Sequence, residues 1–122
     1  MAKILVVEDD EVIRNLLMDT AMDMGLGFQV IEAEDGGAGL DKAINQLPDV
    51  ILLDIMMPVM DGLQVLKGLK DTSGAHGIPV IIVSAKGRDE DAMRALRAGA
   101  WDYVTKPWEQ GALEAVIIGA IK

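Results

Sequence analysis

Val50-Ile51-Leu52-Leu53-Asp54-Ile55-Met56-Met57-Pro58-Val59-Met60-Asp61-Gly62 begins as an apolar run, meets a carboxylate, and then breaks at a proline and an Asp-Gly pair. Uninterrupted apolar residues from Val50 to Leu53 have the pattern of a strand covered on both faces, as in a parallel sheet packed between helices. Pro58 and Asp61-Gly62 mark a loop and the start of a helix. A buried strand that ends on Asp places Asp54 at the rim of a sheet, where a ligand or reacting group can reach it.

The same grammar repeats on either side. Lys3 to Val7 is a second apolar run, and it ends in Glu8-Asp9-Asp10. Val12, Ile13, Leu16, Leu17, Ala21 and Met24 follow at helical spacing, with Asp10 or Glu11 able to start the helix and Gly25 able to stop it. Phe28 to Ala33 reads as strand two, Asp35-Gly36 as a turn, and Leu40, Ala43, Ile44 and Leu47 as the apolar stripe of helix two, ended by Pro48. Leu63, Val65, Leu66 and Leu69 mark helix three, and Asp71 to Gly77 a polar loop. Ile78 to Val83 reads as strand four, running out into Ser84-Ala85-Lys86. Asp89, Glu90 and Asp91 then sit in the first turn of helix four and Arg94 and Arg97 later, both suited to the helix dipole. Gly99 ends that helix, Trp101 to Val104 reads as strand five before Thr105-Lys106-Pro107, and Leu113, Val116, Ile117 and Ala120 line a last helix. Five rounds of strand and helix give an α/β fold: a doubly wound, five-stranded parallel sheet, expected in the flavodoxin-like order 2-1-3-4-5.

Composition sets outer bounds. The chain has 122 residues, 51% of them hydrophobic, and a net charge of −9. It is expected to form one domain over 1–122. The negative charge argues against direct nucleic-acid contact, since phosphate would be repelled. No apolar run reaches the length of a membrane span, no signal peptide is expected since Met-Ala-Lys leads straight into a strand, and the absence of cysteine fits the cytoplasm. There is no cysteine, which excludes disulfides and thiolate chemistry, and the single His76 lies in a Gly-flanked loop that reads as solvated.

In a parallel sheet all strand C-termini share one rim. That rim receives Glu8, Asp9 and Asp10 from strand one, Asp54 from strand three, Ser84 from strand four and Lys106 from strand five. Ligands bind there, at the switch point between strands one and three. Each residue alone has an ordinary reading, as a cap, a turn residue or a solvated lysine; their joint placement carries the argument. Clustered carboxylates suit Mg²⁺ together with phosphate oxygens. A lysine and a hydroxyl supply charge neutralisation and a hydrogen-bond donor to a phosphoryl group. An Asp can be the nucleophile and yield an acyl phosphate. The set points to phosphoryl transfer to Asp54.

Five ordered motifs resemble the response-regulator receiver domain of two-component signalling. They are Ile4-Leu5-Val6-Val7-Glu8-Asp9, Glu32-Ala33-Glu34-Asp35-Gly36, Asp54 to Gly62, Pro79 to Ala85, and Gly99 to Pro107. The resemblance implies that Asp54 is the phospho-acceptor. It also implies that Asp9 is a direct Mg²⁺ ligand, with Glu8 acting through water and the Met56 backbone carbonyl completing the shell. Asp10 competes with this pair, but Ile13-Arg14 fits the family register when Glu8-Asp9 is chosen, leaving Asp10 to cap helix one. Ser84 resembles the switch hydroxyl, Tyr103 the switch aromatic, and Lys106, before a Pro107 expected in cis, the phosphoryl-pairing lysine. The implied donor is a histidine kinase or histidine phosphotransfer protein. The implied response is a repacked face of helix four, strand five and helix five, read by a downstream protein or a fused output domain, with slow autodephosphorylation as the reset.

Helix five also carries Ala112, Ala115, Ile118 and Gly119 opposite its apolar stripe, not the charges of a solvated face. Together with Trp101, expected to point the same way as Tyr103, they read as a contact surface for a homodimer or a downstream domain. Two other classes fit less well. A phosphatase with an Asp nucleophile needs a second Asp where Met56 stands, and dinucleotide binding needs glycines where Glu8-Asp9-Asp10 stands.

Overall fold

The computed structural model describes residues 2–121. Five strands, β1 (Lys3–Val7), β2 (Gln29–Ala33), β3 (Val50–Asp54), β4 (Val80–Ala85) and β5 (Asp102–Lys106), alternate with α1 (Glu11–Asp23), α2 (Gly36–Gln46), α3 (Gly62–Lys70), α4 (Asp89–Arg97) and α5 (Gln110–Ile121). All pairings are parallel and the order is β2-β1-β3-β4-β5, as expected. The central strands alternate their side chains between two layers. Leu5, Val7, Ile51, Leu53, Val80 and Ile82 pack with Ala43, Val65, Leu66, Leu69 and Ala95 of α2, α3 and α4. Ile4, Val6, Leu52, Ile81, Val83 and Val104 pack with Leu17, Ala21, Leu113 and Ile117 of α1 and α5. A strand buried on both faces needs apolar residues at every position, which is why β1 and β3 read as unbroken runs.

Several helix ends are written in the local sequence. The Asp10 carboxylate accepts from the Ile13 N–H 3.1 Å away and caps α1. Asp35 caps α2 in the same way through the Ala38 N–H at 2.7 Å. Asp61 and Gln64 form a reciprocal capping box at α3, each bond 2.9 Å. Gly99 leaves α4 at φ 110°, a conformation that disfavours any other residue.

Some expectations need correction. β2 begins at Gln29, one residue after Phe28. β4 runs over Val80–Ala85 and not over 78–83; Ile78-Pro79 precedes it, and the Pro79 carbonyl accepts from the Ile51 N–H at 3.0 Å. β5 runs over Asp102–Lys106, so Lys106 belongs to the strand and Trp101 does not. In α2, Ile44 and Leu47 are exposed and the buried positions are Gly36, Gly39 and Ala43. The reason is close approach. A Cβ on Gly39 would lie 2.6 Å from the Val7 side chain, so α2 meets the sheet through small residues; Leu40 packs sideways against Gly68 of α3, and Ile44 and Leu47 face outward. Trp101 and Tyr103 do not share a side. Tyr103 packs against the α2–α3–α4 layer. Trp101 lies ahead of the β5 ladder at the sheet edge, and its indole covers Gly119 of α5.

Candidate functional site

Alternation along the strands builds the site. Glu8 lies two residues after Val6, Asp54 two after Leu52, and Lys106 two after Val104, and those three apolar residues share the α1–α5 layer. The side chains of Glu8, Asp54 and Lys106 therefore leave one face of the sheet at one rim. The Lys106 Nζ donates to the Glu8 Oε1 at 2.8 Å and to the Asp54 Oδ1 at 3.0 Å. Glu8 and Asp54 are both almost wholly buried, and Asp9 beside them is exposed. Carboxylate oxygens of Glu8, Asp9 and Asp54 lie within 4.8 Å of one another.

The electrostatics follow from this crowding. Burial pushes the Glu8 carboxyl up to about 7; the Lys106 hydrogen bond works against that rise, and the nearby Asp54 charge adds to it. Burial also acts against the Lys106 ammonium, but its bonds to Glu8 and Asp54 outweigh this and hold it above the ordinary lysine range. Among these groups, one ammonium faces three carboxylates. Such a set is suited to a hard divalent cation, which carboxylate oxygens bind readily, so the donor chemistry fits Mg²⁺.

The other predicted residues are placed at the same end. The Met56 N–H lies 3.4 Å from the Asp54 Oδ1, while its side chain points to solvent. Ser84 lies one residue past Val83, which is in register with Asp54. Its hydroxyl is buried without a hydrogen-bond partner, a costly arrangement for a polar group unless another state supplies one. Ile82 pairs with Tyr103 and Ser84 with Thr105, so Ser84 and Tyr103 are diagonal neighbours on the α2–α3–α4 face. Asp10 is engaged in capping, and its N–H also donates to the Glu8 Oε2 at 3.2 Å. The Lys106-Pro107 bond is cis.

Backbone approach shapes the β3–α3 connection. A Cβ on Gly62 would lie 2.4 Å from the Asp54 carbonyl oxygen, so only glycine fits there. The Gly62 N–H donates to the Ile55 carbonyl at 2.8 Å and ties the loop under the site. At the loop tip the Met60 N–H reaches back to the Pro58 carbonyl at 2.8 Å, with Val59 between them at φ 67° and fully exposed. A β-branched residue in that region is strained.

One participant was not predicted for this site. Arg14 is buried in α1, donating from Nη1 to the Glu8 carbonyl at 3.0 Å and from Nε to the Glu32 Oε1 at 3.0 Å. The available signal was a charged residue between apolar helical positions, with Glu32 four residues into a neighbouring strand stretch.

A family model described as "Response regulator receiver domain" matches residues 4–118. The chain belongs to the response-regulator receiver family. It is 44% identical over 119 residues to the phosphate regulon transcriptional regulatory protein PhoB of Escherichia coli, covering 94% of this chain and 49% of PhoB. It is 42% identical over 113 residues to protein PilH of Pseudomonas aeruginosa, covering 93% of this chain and 92% of PilH. The receiver chain thus spans about half the length of PhoB and nearly all of PilH. Among solved structures, the receiver domain of NtrX from Brucella abortus superimposes with a TM-score of 0.89 at 32% identity, covering 97% of each chain. A response regulator from Chloroflexus aurantiacus gives 0.92 at 25% identity, covering 98% of this chain and 97% of that one. Receiver domains serve phosphorylation-activated signalling and are not enzymes acting on outside substrates. They generally carry their phosphate on an aspartate and bind Mg²⁺ at an acidic pocket, and this chain has such a cluster in Glu8, Asp9 and Asp54. No helix among the described residues is long and apolar enough to cross a membrane.

Proposed function

We propose that residues 1–122 act as one receiver domain in which Asp54 accepts a phosphoryl group from the phosphohistidine of a histidine kinase or a histidine phosphotransfer protein. The observation that carries this reading is the Lys106 ammonium bridging Glu8 and Asp54 at the sheet rim. An Asp54 oxygen attacks phosphorus; the new P–O bond forms as the donor's N–P bond breaks, and the electron pair returns to the donor imidazole. Lys106 holds Asp54 in place beforehand and pairs with a phosphoryl oxygen afterwards. Glu8, Asp9, Asp54 and the Met56 carbonyl would hold Mg²⁺, with Asp9 a direct ligand and Glu8 acting through water. When bound, the cation neutralises charge on the phosphoryl oxygens.

The switch rests on differential contact. The Ser84 hydroxyl lacks a partner in this state, and a phosphoryl oxygen on Asp54 supplies one. Tyr103, the diagonal neighbour of Ser84, turns inward into the space that the Ser84 segment leaves. The α4–β5–α5 face is thereby repacked for a downstream protein, a fused output domain or a second copy. Trp101, Ala112, Ala115 and Ile118 are exposed on this side, and Trp101 covers Gly119, which supports a contact surface there. Slow hydrolysis of the acyl phosphate resets the domain. The test is intact mass after acetyl phosphate with Mg²⁺, for wild type and Asp54→Ala. Wild type is expected to gain one phosphoryl group and the variant none; no gain in wild type, or equal gain in both, overturns the reading.

A further inference from the structure

Arg14 is a buried cation that plays no part in the phosphoryl transfer described above. Its side chain is 9% exposed, and its partner Glu32 is 50% exposed. Three contacts tie the first turn of α1 back to the segment carrying the acidic pair. The Asp10 carboxylate accepts from the Ile13 N–H, the Asp10 carbonyl accepts from the Arg14 N–H at 2.8 Å, and the Glu8 carbonyl accepts from the Arg14 Nη1 at 3.0 Å. The third contact is the consequential one. The Glu8 N–H is held by the Ala33 carbonyl at 3.1 Å, but β2 ends at Ala33 and the chain turns away into α2. A side chain, not the β2 backbone, donates to the Glu8 carbonyl.

That carbonyl belongs to the peptide unit that carries the Asp9 N–H. Fixing its plane fixes the direction in which the Asp9 side chain leaves the backbone, and Asp9 is exposed, with no side-chain hydrogen bond of its own among the described contacts. We infer that Arg14 is the positioning residue for the cation site: through the Glu8 carbonyl it orients Asp9 toward Glu8 and Asp54. Glu32 balances the guanidinium charge and sets its plane. The inference rests on the reading of Glu8, Asp9 and Asp54 as the Mg²⁺ site. Arg14 makes no hydrogen bond to those carboxylates; its contact with the site runs through the Glu8 backbone carbonyl.

The experiment titrates MgCl₂ into wild type, Arg14→Met, Arg14→Lys and Glu32→Gln by calorimetry, with melting temperature in EDTA measured in parallel. Arg14→Met is expected to weaken Mg²⁺ binding ~10–100-fold, the usual effect of removing a residue that orients metal ligands. Arg14→Lys, able to donate to the Glu8 carbonyl but not to both partners, recovers part of the loss and keeps the test open if Arg14→Met does not fold. Glu32→Gln leaves the carbonyl contact in place and keeps wild-type affinity. A lowered melting temperature with unchanged Mg²⁺ affinity in both Arg14 variants would make Arg14 purely structural and overturn the inference. A loss in Glu32→Gln equal to that in the Arg14 variant also overturns it. Absence of Mg²⁺ binding by wild type instead removes the underlying reading of the site.

Discussion

Replacing Lys106 by methionine removes the ammonium that lies 2.8 Å from Glu8 and 3.0 Å from Asp54 while keeping most of the side-chain volume. Taking one partner from a buried charge pair costs about 3–5 kcal/mol when the remaining charge cannot be neutralised. Here it can be, because burial pushes the Glu8 carboxyl up to about 7 in the folded chain against an ordinary value of 4.5. The sign follows from proton linkage. A carboxyl with a raised folded pKa binds more protons folded than unfolded. The stability it contributes is present in full below its unfolded value and is lost as pH rises through about 7. In wild type, Lys106 limits that loss. In Lys106→Met it does not, so the penalty depends on pH. At about pH 8 both Glu8 and Asp54 lose their counter-charge, and the expected cost is ~3 kcal/mol. At about pH 5.5 the Glu8 carboxyl lies below its folded value of about 7 and carries its proton, so less counter-charge is lost and the cost is ~1 kcal/mol. An unfolding entropy of ~2.1 cal/mol/K per residue over 122 residues gives ~4 °C per kcal/mol. The variant should therefore melt ~12 °C below wild type at about pH 8 and ~4 °C below it at about pH 5.5. Thermal unfolding by circular dichroism in EDTA measures both. Equal losses at the two pH values, or a larger loss in acid, would refute the electrostatic account of the site.

Gly62→Ala forces a Cβ to within 2.4 Å of the Asp54 carbonyl, and overpacking of this kind costs ~1–3 kcal/mol, so a melting temperature equal to wild type would contradict the close-approach argument. Asp10→Ala should lose about 1 kcal/mol of stability as the α1 cap disappears, with Mg²⁺ affinity unchanged. Asp9→Asn should do the reverse, weakening Mg²⁺ binding at least ~10-fold with no loss of stability in EDTA, since a like charge leaves the cluster. Calorimetry on that pair decides which acidic residue is the ligand. Ser84→Ala deletes a buried hydroxyl that has no partner, so metal-free stability should hold or rise by about 1 kcal/mol. The same variant should lose the phosphorylation-dependent amide shifts of Tyr103; shifts like those of wild type would argue against the coupling.

The sheet was legible because unbroken apolar runs at 4–7, 50–53 and 80–83 can be satisfied only by strands covered on both faces. The rim carboxylates Glu8 and Asp54 were legible because a carboxylate directly after such a run has nowhere to go but the strand end, and Lys106 was placed at the same rim as the residue two past Val104. Helix two was read less well. Its stripe was assigned to Leu40, Ala43, Ile44 and Leu47; Ala43 is buried and Leu40 packs on the core, but Ile44 and Leu47 are exposed and close packing on Val7 is made by Gly39 instead. A pattern of apolar periods registers size poorly, and Leu47 takes a left-handed conformation, φ 47°, that ends the helical phase. Strand five was placed one residue early at its start and two residues short at its end, because Thr105 and Lys106 break the apolar run while still pairing with Ser84 and Ala85. Arg14 escaped as a site residue because a buried arginine is intelligible only through its partners, and Glu32 and the Glu8 carbonyl meet it only once β1, β2 and α1 are assembled.

The central claim is that the phosphoryl group resides on the Asp54 carboxylate itself. The direct measurement is borohydride reduction after phosphorylation by acetyl phosphate and Mg²⁺, followed by peptide mass mapping. An acyl phosphate is reduced to an alcohol, converting the modified aspartate to homoserine. The account predicts homoserine at position 54 in wild type, none at Asp9 or Asp10, and no reduction of Glu8 to its five-carbon alcohol, 5-hydroxynorvaline. Homoserine at another aspartate, or a phosphorylated peptide that resists reduction, would contradict it.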